Sequence, residues 1–404
     1  MEKEQKELMN YALLLPVFLL IIVGFIVQYG AFEADPTAVD TVGLLKKQLL
    51  WTVIGTIGML ITLLIPLSVL WKSAPFIYGF SLLFMLLLVW YYDPVMASIT
   101  STRRWLRLGP FSFQPSEFMK IGYILVLAMI VTTDRRRNNP SKSVVKNDIN
   151  LLLKMAAVSL PVWGLMFYQK DFGTSLVFLS IFMGMLIVSG CSWKILGTGV
   201  GLLSLLGGSA ILLIFTEWGQ KLLKLLHFQA YQFQRIEVWL NPFDYADSIG
   251  YQQARGITAI GSGGMFGKGL TNLEVHVPVR ESDMIFTVVG EAYGFVGSTF
   301  LLLLFFYLIY QMLICTMNAN KEFYAYVTTG VIMYFLFHII ENIGAAVGLL
   351  PLTGIPLPFL SQGGTAYLAN FIAVGLVLSM YDQKKWLEKY LPSKRQSNKK
   401  HIED

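Results

Sequence analysis

Residues 11–29 read YALLLPVFLLIIVGFIVQY, nineteen positions without a charge. A bilayer core takes about 20 apolar residues to cross as a helix, so this stretch reads as a membrane span. It does not read as a secretory signal. The residues before it are mixed in charge, no small-residue cleavage site follows, and the apolar stretch is long. We take it as a retained first span.

Similar runs recur along all 404 residues, which are 55% hydrophobic and 14% charged. A soluble domain carries roughly 25% charged residues, too large a gap for an ordinary core to explain. The spacing predicts about ten spans, at 11–29, 48–66, 75–92, 115–133, 151–168, 174–190, 195–215, 284–313, 323–348 and 365–381. The eighth and ninth are long enough to tilt or to extend past the lipid. The expected fold is an all-α integral membrane protein. One membrane domain covers residues 1–382, a polar cytoplasmic tail 383–404, and one large extracellular loop 216–283 between spans seven and eight.

The net charge of +6 follows topology rather than nucleic acid. With the N-terminus inside, the inside segments hold eighteen Lys and Arg, against six in the short outside segments. Both termini are therefore expected in the cytoplasm. Arg135-Arg136-Arg137 reads as a stop-transfer anchor near anionic lipid. Cys191 and Cys315 fall at inside ends of spans, and two cysteines make neither a metal set nor an expected disulfide.

The outlier is 216–283, long for a helix connection and rich in Trp, Tyr, Phe and Leu. Trp218 to Trp239 reads as a helix lying in the interface. Ala259 to Gly264, AIGSGG, reads as a flexible turn ahead of Gly267-Lys268-Gly269.

Three further features point outward. Arg103-Arg104-Trp105-Leu106-Arg107, closing on Gln114-Pro115-Ser116-Glu117, breaks the positive-inside bias. It suits either an anionic group or lipid phosphate, with Trp105 as an interface anchor. Pro115 fits the first turn of a helix, and Glu117 and Lys120 stand one turn apart, able to pair. Ser282-Asp283 opens the eighth span. Ser282 suits an N-cap, and Asp283 suits either the helix dipole or the role of a base. Glu291, His338, Glu341, Asn342 and Asn370 lie inside apolar spans, where polar groups face a cavity or one another.

Together these residues resemble the SEDS family (shape, elongation, division and sporulation), its rod-shape branch more than its division branch. The resemblance covers residues 10–382. It rests on Arg104-Trp105 with Gln114-Pro115-Ser116-Glu117, Asp171-Phe172-Gly173-Thr174, Gly250-Tyr251-Gln252, AIGSGG at 259–264, Asp283-Met284-Ile285-Phe286 with Gly290-Glu291, and Pro351 to Gly364. The resemblance implies a peptidoglycan glycosyltransferase that polymerises lipid II, with inversion, on the outer face of the bacterial cytoplasmic membrane, for elongation and cell shape. It implies a class B penicillin-binding protein as transpeptidase partner, other elongation-complex membrane proteins, and no nucleic acid. The family's essential acid falls on Asp283 and its tryptophan on Trp105.

Two departures stand out. The family often reads P-E-x-H-T-D-F where this chain has Pro278-Val279-Arg280-Glu281-Ser282-Asp283-Met284, and Tyr is common at Gln362. Glycan extension attacks an anomeric carbon and expels a lipid diphosphate, so it needs a base, Asp283, and positive charge. Arg103, Arg104, Lys120, Arg255, Lys268 and Arg280 are candidates, or a divalent cation, Mg or Mn. Glu117, Glu291, Glu341 and Ser361 complete the substrate-binding candidates. Two other readings remain: a lipid II flippase or transporter, which requires a polar path through the whole membrane, and a non-catalytic scaffold.

Overall fold

The computed structural model describes residues 10–35, 40–109, 111–136, 144–214, 216, 218–219, 221, 230–317 and 322–390. It is helical apart from one short hairpin. The helices are α1 (Tyr11–Glu33), α2 (Thr41–Leu64), α3 (Leu67–Leu87), α4 (Pro94–Thr100), α5 (Pro115–Arg136), α6 (Val144–Gln169), α7 (Phe172–Val188), α8 (Trp193–Ile214), α9 (Ala230–Leu240), α10 (Tyr251–Ser262), α11 (Ile285–Met317), α12 (Glu322–Ala346) and α13 (Thr365–Tyr390). Among the described residues, eight helices are long and apolar enough to cross a membrane: α1, α2, α3, α5, α6, α8, α11 and α12. Two shorter apolar helices, α7 and Thr365–Met380, stand where the sixth and tenth spans are expected.

Local chemistry starts several of these helices. Asn10, Asp40 and Asp171 cap α1, α2 and α7 by accepting a backbone N–H two or three residues into the helix. Asp93 caps α4, with Pro94 in its first turn. The third span runs from Leu67 rather than residue 75, because Pro66 supplies the boundary and Pro75 is accommodated inside the helix. The all-α expectation misses the hairpin β1 (Leu106–Leu108) and β2 (Phe111–Phe113), which pair antiparallel with Leu106 opposite Phe113. Three-residue strands are too short to register as a period in the sequence.

α5, α12 and α7 form the centre, with α13 packed on α2 and α3 on α5. Tyr123, Ile124, Val327, Val331, Phe335, Phe371 and Val374 are fully buried there. The flanking helices expose large apolar side chains, such as Leu202, Leu205 and Leu212 on α8, as lipid-facing surfaces do.

The two ends of the bundle sort as the loop charges predict. One end joins Asn10 to Cys315, and Arg135 to Asp148 and Ser189. The other joins Arg103 to Gln169 and Tyr168, Gln28 to Leu360, and Asn342 to Asp283. Both cysteines are free and buried at the first end. Arg137, the tail beyond 390 and the loop residues 222–229 lie outside the described residues.

Candidate active site

The site sits at the second end, where three segments meet. The first is the hairpin arm, residues 102–114. Its Arg103 N–H donates to Gln169 O at 3.0 Å, and Trp105 O accepts from Asp93 N at 2.8 Å. The second is the corner 281–284 ahead of α11. The third is the segment 351–364 between α12 and α13. Its chain lies hard against α1, because a side chain at Gly24 would meet Phe359 O at 2.5 Å.

Gly354 marks the centre. Its φ of +75° is open to glycine at no cost. A Cβ there would lie 3.2 Å from Asp283 Oδ2 and 3.9 Å from Arg104 Nη2, so acid and guanidinium flank one point. Arg104 Nη1 reaches Asp171 Oδ1 at 3.4 Å, while its buried Nε has no protein partner. Trp105 lies beside the same guanidinium, 5.9 Å from ring centroid to Cζ. Asp171 is fixed by the start of α7, accepting from Thr174 N and Thr174 Oγ1, and by Gln114 Nε2 at 3.5 Å. Asp283 itself is half-buried, and Ser282 Oγ donates to its Oδ1. That serine therefore turns to the carboxylate rather than capping α11, which opens at Ile285.

The remaining candidates are spent elsewhere. Arg103 lies over the rings of Tyr92 and Tyr168, at 4.9 and 5.8 Å, and donates to Tyr168 Oη at 3.3 Å. Lys120, fully buried, pairs with Glu117 at 2.8 Å and His338 Nε2 at 3.1 Å, under the Tyr334 ring. Arg255 is on the exposed face of α10, over Tyr251. Arg280 and Glu291, 2% and 0% exposed, pair at 2.9 Å. Lys268 reaches Glu274 at 2.7 Å and Glu291 at 3.7 Å, and the bond to Glu274 leads in holding its ammonium pKa above the ordinary value. Glu291 Oε1 also accepts Glu274 N and Val275 N. These four side chains tie the 268–280 segment to α11 behind the corner.

His338, Glu341 and Asn342 share one face of α12, as their spacing predicts, and all three grip the 353–356 stretch. His338 Nδ1 donates to Pro356 O at 2.9 Å, Thr353 Oγ1 donates to Glu341, and Asn342 Nδ2 donates to Ile355 O at 2.8 Å. Ser361 is buried, with its hydroxyl on Ser282 O. Sequence reasoning missed Asp171 and Gly354 as site residues. The only signal for either was membership of a motif.

The AIGSGG stretch is not a flexible turn. Ala259 to Ser262 form the last turn of α10, and the following glycines fill a break in α11 at Gly294, φ +62° and ψ −155°. Phe295 N and Val296 N bond Gly264 O and Met265 O there, and Lys268 N bonds Glu291 O. A side chain at Gly267, φ +80°, would collide with Ala292 O.

No three His, Cys, Asp or Glu side chains among the described residues group closely enough to hold a metal ion. The site offers Asp283, with Glu281 two residues away, and the Asp171 carboxylate is already committed to Arg104 and Thr174.

Comparison with known proteins places these features in context. The family model for the cell cycle proteins FtsW, RodA and SpoVE matches residues 11–386. The probable peptidoglycan glycosyltransferase FtsW of Taylorella equigenitalis is 32% identical over 82% of this chain and 86% of its own. The peptidoglycan glycosyltransferase MrdB of Escherichia coli is 31% identical over 93% of this chain and 95% of its own. A chain of a peptidoglycan synthase complex, described for its structural coordination of polymerization and crosslinking, superposes with a TM-score of 0.75. It is 26% identical, covering 93% of this chain and 98% of that one.

Proposed function

The chain belongs to the FtsW, RodA and SpoVE family of cell cycle proteins, and we propose that it is a peptidoglycan glycosyltransferase that polymerises lipid II on the outer face of the cytoplasmic membrane. The observation that carries the mechanism is the pairing of Asp283 and Arg104 across Gly354. In this reading the acceptor hydroxyl oxygen forms the new bond to the donor's anomeric carbon. Its proton passes to the Asp283 carboxylate. The anomeric carbon–oxygen bond breaks, and the lipid diphosphate leaves with the electron pair. Attack opposite the leaving group inverts the anomeric centre.

Arg104 is the cation for the diphosphate. Asp171 pairs with its guanidinium through Nη1, and Nη2 lies beside the point at Gly354 that Asp283 flanks, where it can meet an anion. The other basic candidates are engaged by glutamates or aromatic rings, or point away, as described above. A divalent cation in this site would be held mainly by the diphosphate, with Asp283 and Glu281 as the nearby carboxylates, and would supply charge neutralisation. The matched synthase complex supports a class B penicillin-binding protein as partner. The likeness to MrdB supports a role in elongation and shape.

Inside the bundle Glu117, Lys120 and His338 form one chain of contacts that ends on Pro356 O of the 351–364 segment, and Asn370 accepts from Tyr334 Oη. Polar groups engaged in this way favour an outer-face enzyme over a flippase. The test is lipid II polymerisation by the purified chain with its partner. Asp283→Ala is expected to abolish glycan synthesis, and Arg104→Ala to lower kcat/KM by about 10²-fold or more. A folded, partner-bound Asp283→Ala protein that polymerises at the wild-type rate would sink the assignment.

A further inference from the structure

Three consecutive main-chain carbonyls at the corner are held from one side. Gln362 N donates to Glu281 O at 2.8 Å, Ser361 Oγ to Ser282 O at 2.6 Å, and Asn342 Nδ2 to Asp283 O at 2.7 Å. Two of these donors are bridges. Asn342 Nδ2 also donates to Ile355 O at 2.8 Å, and Ser361 Oγ accepts from Leu357 N at 2.8 Å. Both side chains are buried, 2% and 3% exposed, so water does not compete for these bonds.

The arrangement fixes the backbone from which the Asp283 carboxylate projects. What freedom remains lies in two side-chain torsions, and the Ser282 hydroxyl restrains them by donating to Oδ1. Oδ2 is left facing Gly354 and Arg104. A reacting group held within a fraction of an ångström gains most from such support, since a misplacement of 1 Å costs on the order of 10²-fold in rate.

We propose that Asn342 and Ser361 are positioning residues for Asp283, a clamp that locks the corner 281–283 to the 355–362 segment. The inference rests on Asp283 being the base. It also reassigns Ser361: the hydroxyl gives its single proton to Ser282 O and acts on the protein rather than on substrate. The third bond comes from a main-chain N–H, so glutamine in place of the family's common tyrosine at 362 leaves the clamp intact.

The experiment measures steady-state lipid II polymerisation by the full chain with its penicillin-binding partner, for Ser361→Ala, Asn342→Leu and the double variant. Each single variant is expected to lower kcat about 10- to 100-fold, with KM for lipid II within about twofold, the signature of lost transition-state positioning. The double variant is expected to lose less than the product of the two, since both act on one corner. Wild-type kcat in the folded single variants overturns the clamp, and so does a loss carried wholly by KM, which would make these side chains substrate contacts. If Asn342→Leu does not fold, Ser361→Ala decides alone, because it removes only a small hydroxyl. Asp283→Asn separates the two ideas. If it polymerises normally, the base assignment falls and the clamp with it; if it is dead while both clamp variants run at the wild-type rate, only the clamp falls.

Discussion

At the scale of the residue, the six candidate cations differ in what each charge already touches. A buried cation must be neutralised or hydrogen-bonded, and once it is, it has little left for a ligand. Lys120 and Arg280 are in that condition and the part-exposed Lys268 is held by two glutamates, whereas Arg104, paired with Asp171 through Nη1, keeps Nη2 beside the point at Gly354 that the acid flanks. Glu281 shows the converse. Burial pushes its carboxyl pKa above the ordinary 4.5, with Asp35 and Asp283 adding to the shift. Below pH 4.5 the group is protonated in folded and unfolded chains alike. As pH rises, the unfolded chain releases the proton first, so the contribution to stability falls until the folded group has also ionised. Glu281→Gln removes this decline. The expected result is a gain in unfolding midpoint over wild type that is absent near pH 4 and grows toward neutrality; parallel midpoint-versus-pH curves would refute it.

At the scale of the element, α11 is two helices meeting at Gly294, with the glycine-rich loop seated in the break. The gap leaves backbone groups that the loop must satisfy, which is why Phe295, Val296 and Lys268 bond across it. The Arg280–Glu291–Lys268 knot holds the segment that leads from this loop to the corner. Glu291→Gln leaves Arg280 buried without its carboxylate, a defect that costs about 3–5 kcal/mol. We expect a marked drop in the unfolding midpoint, with activity lost in step with folding. An unchanged midpoint with reduced kcat would place Glu291 in the chemistry instead.

At the scale of the whole molecule, the loop charges assign the hairpin arm, the corner and the 351–364 segment to the outside, and the structure gathers them at one end. Ser248 lies exposed at this end and Lys72 is exposed at the other. Ser248→Cys is therefore expected to react with an impermeant thiol reagent on intact cells, and Lys72→Cys only after permeabilisation, with Cys191 and Cys315 protected by burial. The reverse pattern would invert the topology.

The sequence alone determined the membrane class and the approximate spans, and it singled out an expected outer face and Asp283. Each is a local property of the chain, written in runs of about 20 apolar residues, in loop charge and in short motifs. Only the tertiary structure decided that Arg104 rather than Lys268 or Arg280 faces the acid, that AIGSGG fills a broken helix, and that Asn342 and Ser361 grip the corner. These contacts join residues tens to hundreds of positions apart, such as Ser361 with Ser282 and Arg104 with Asp171. No local pattern encodes such a pairing, because it depends on which buried donors and acceptors the packed helices bring within bonding distance.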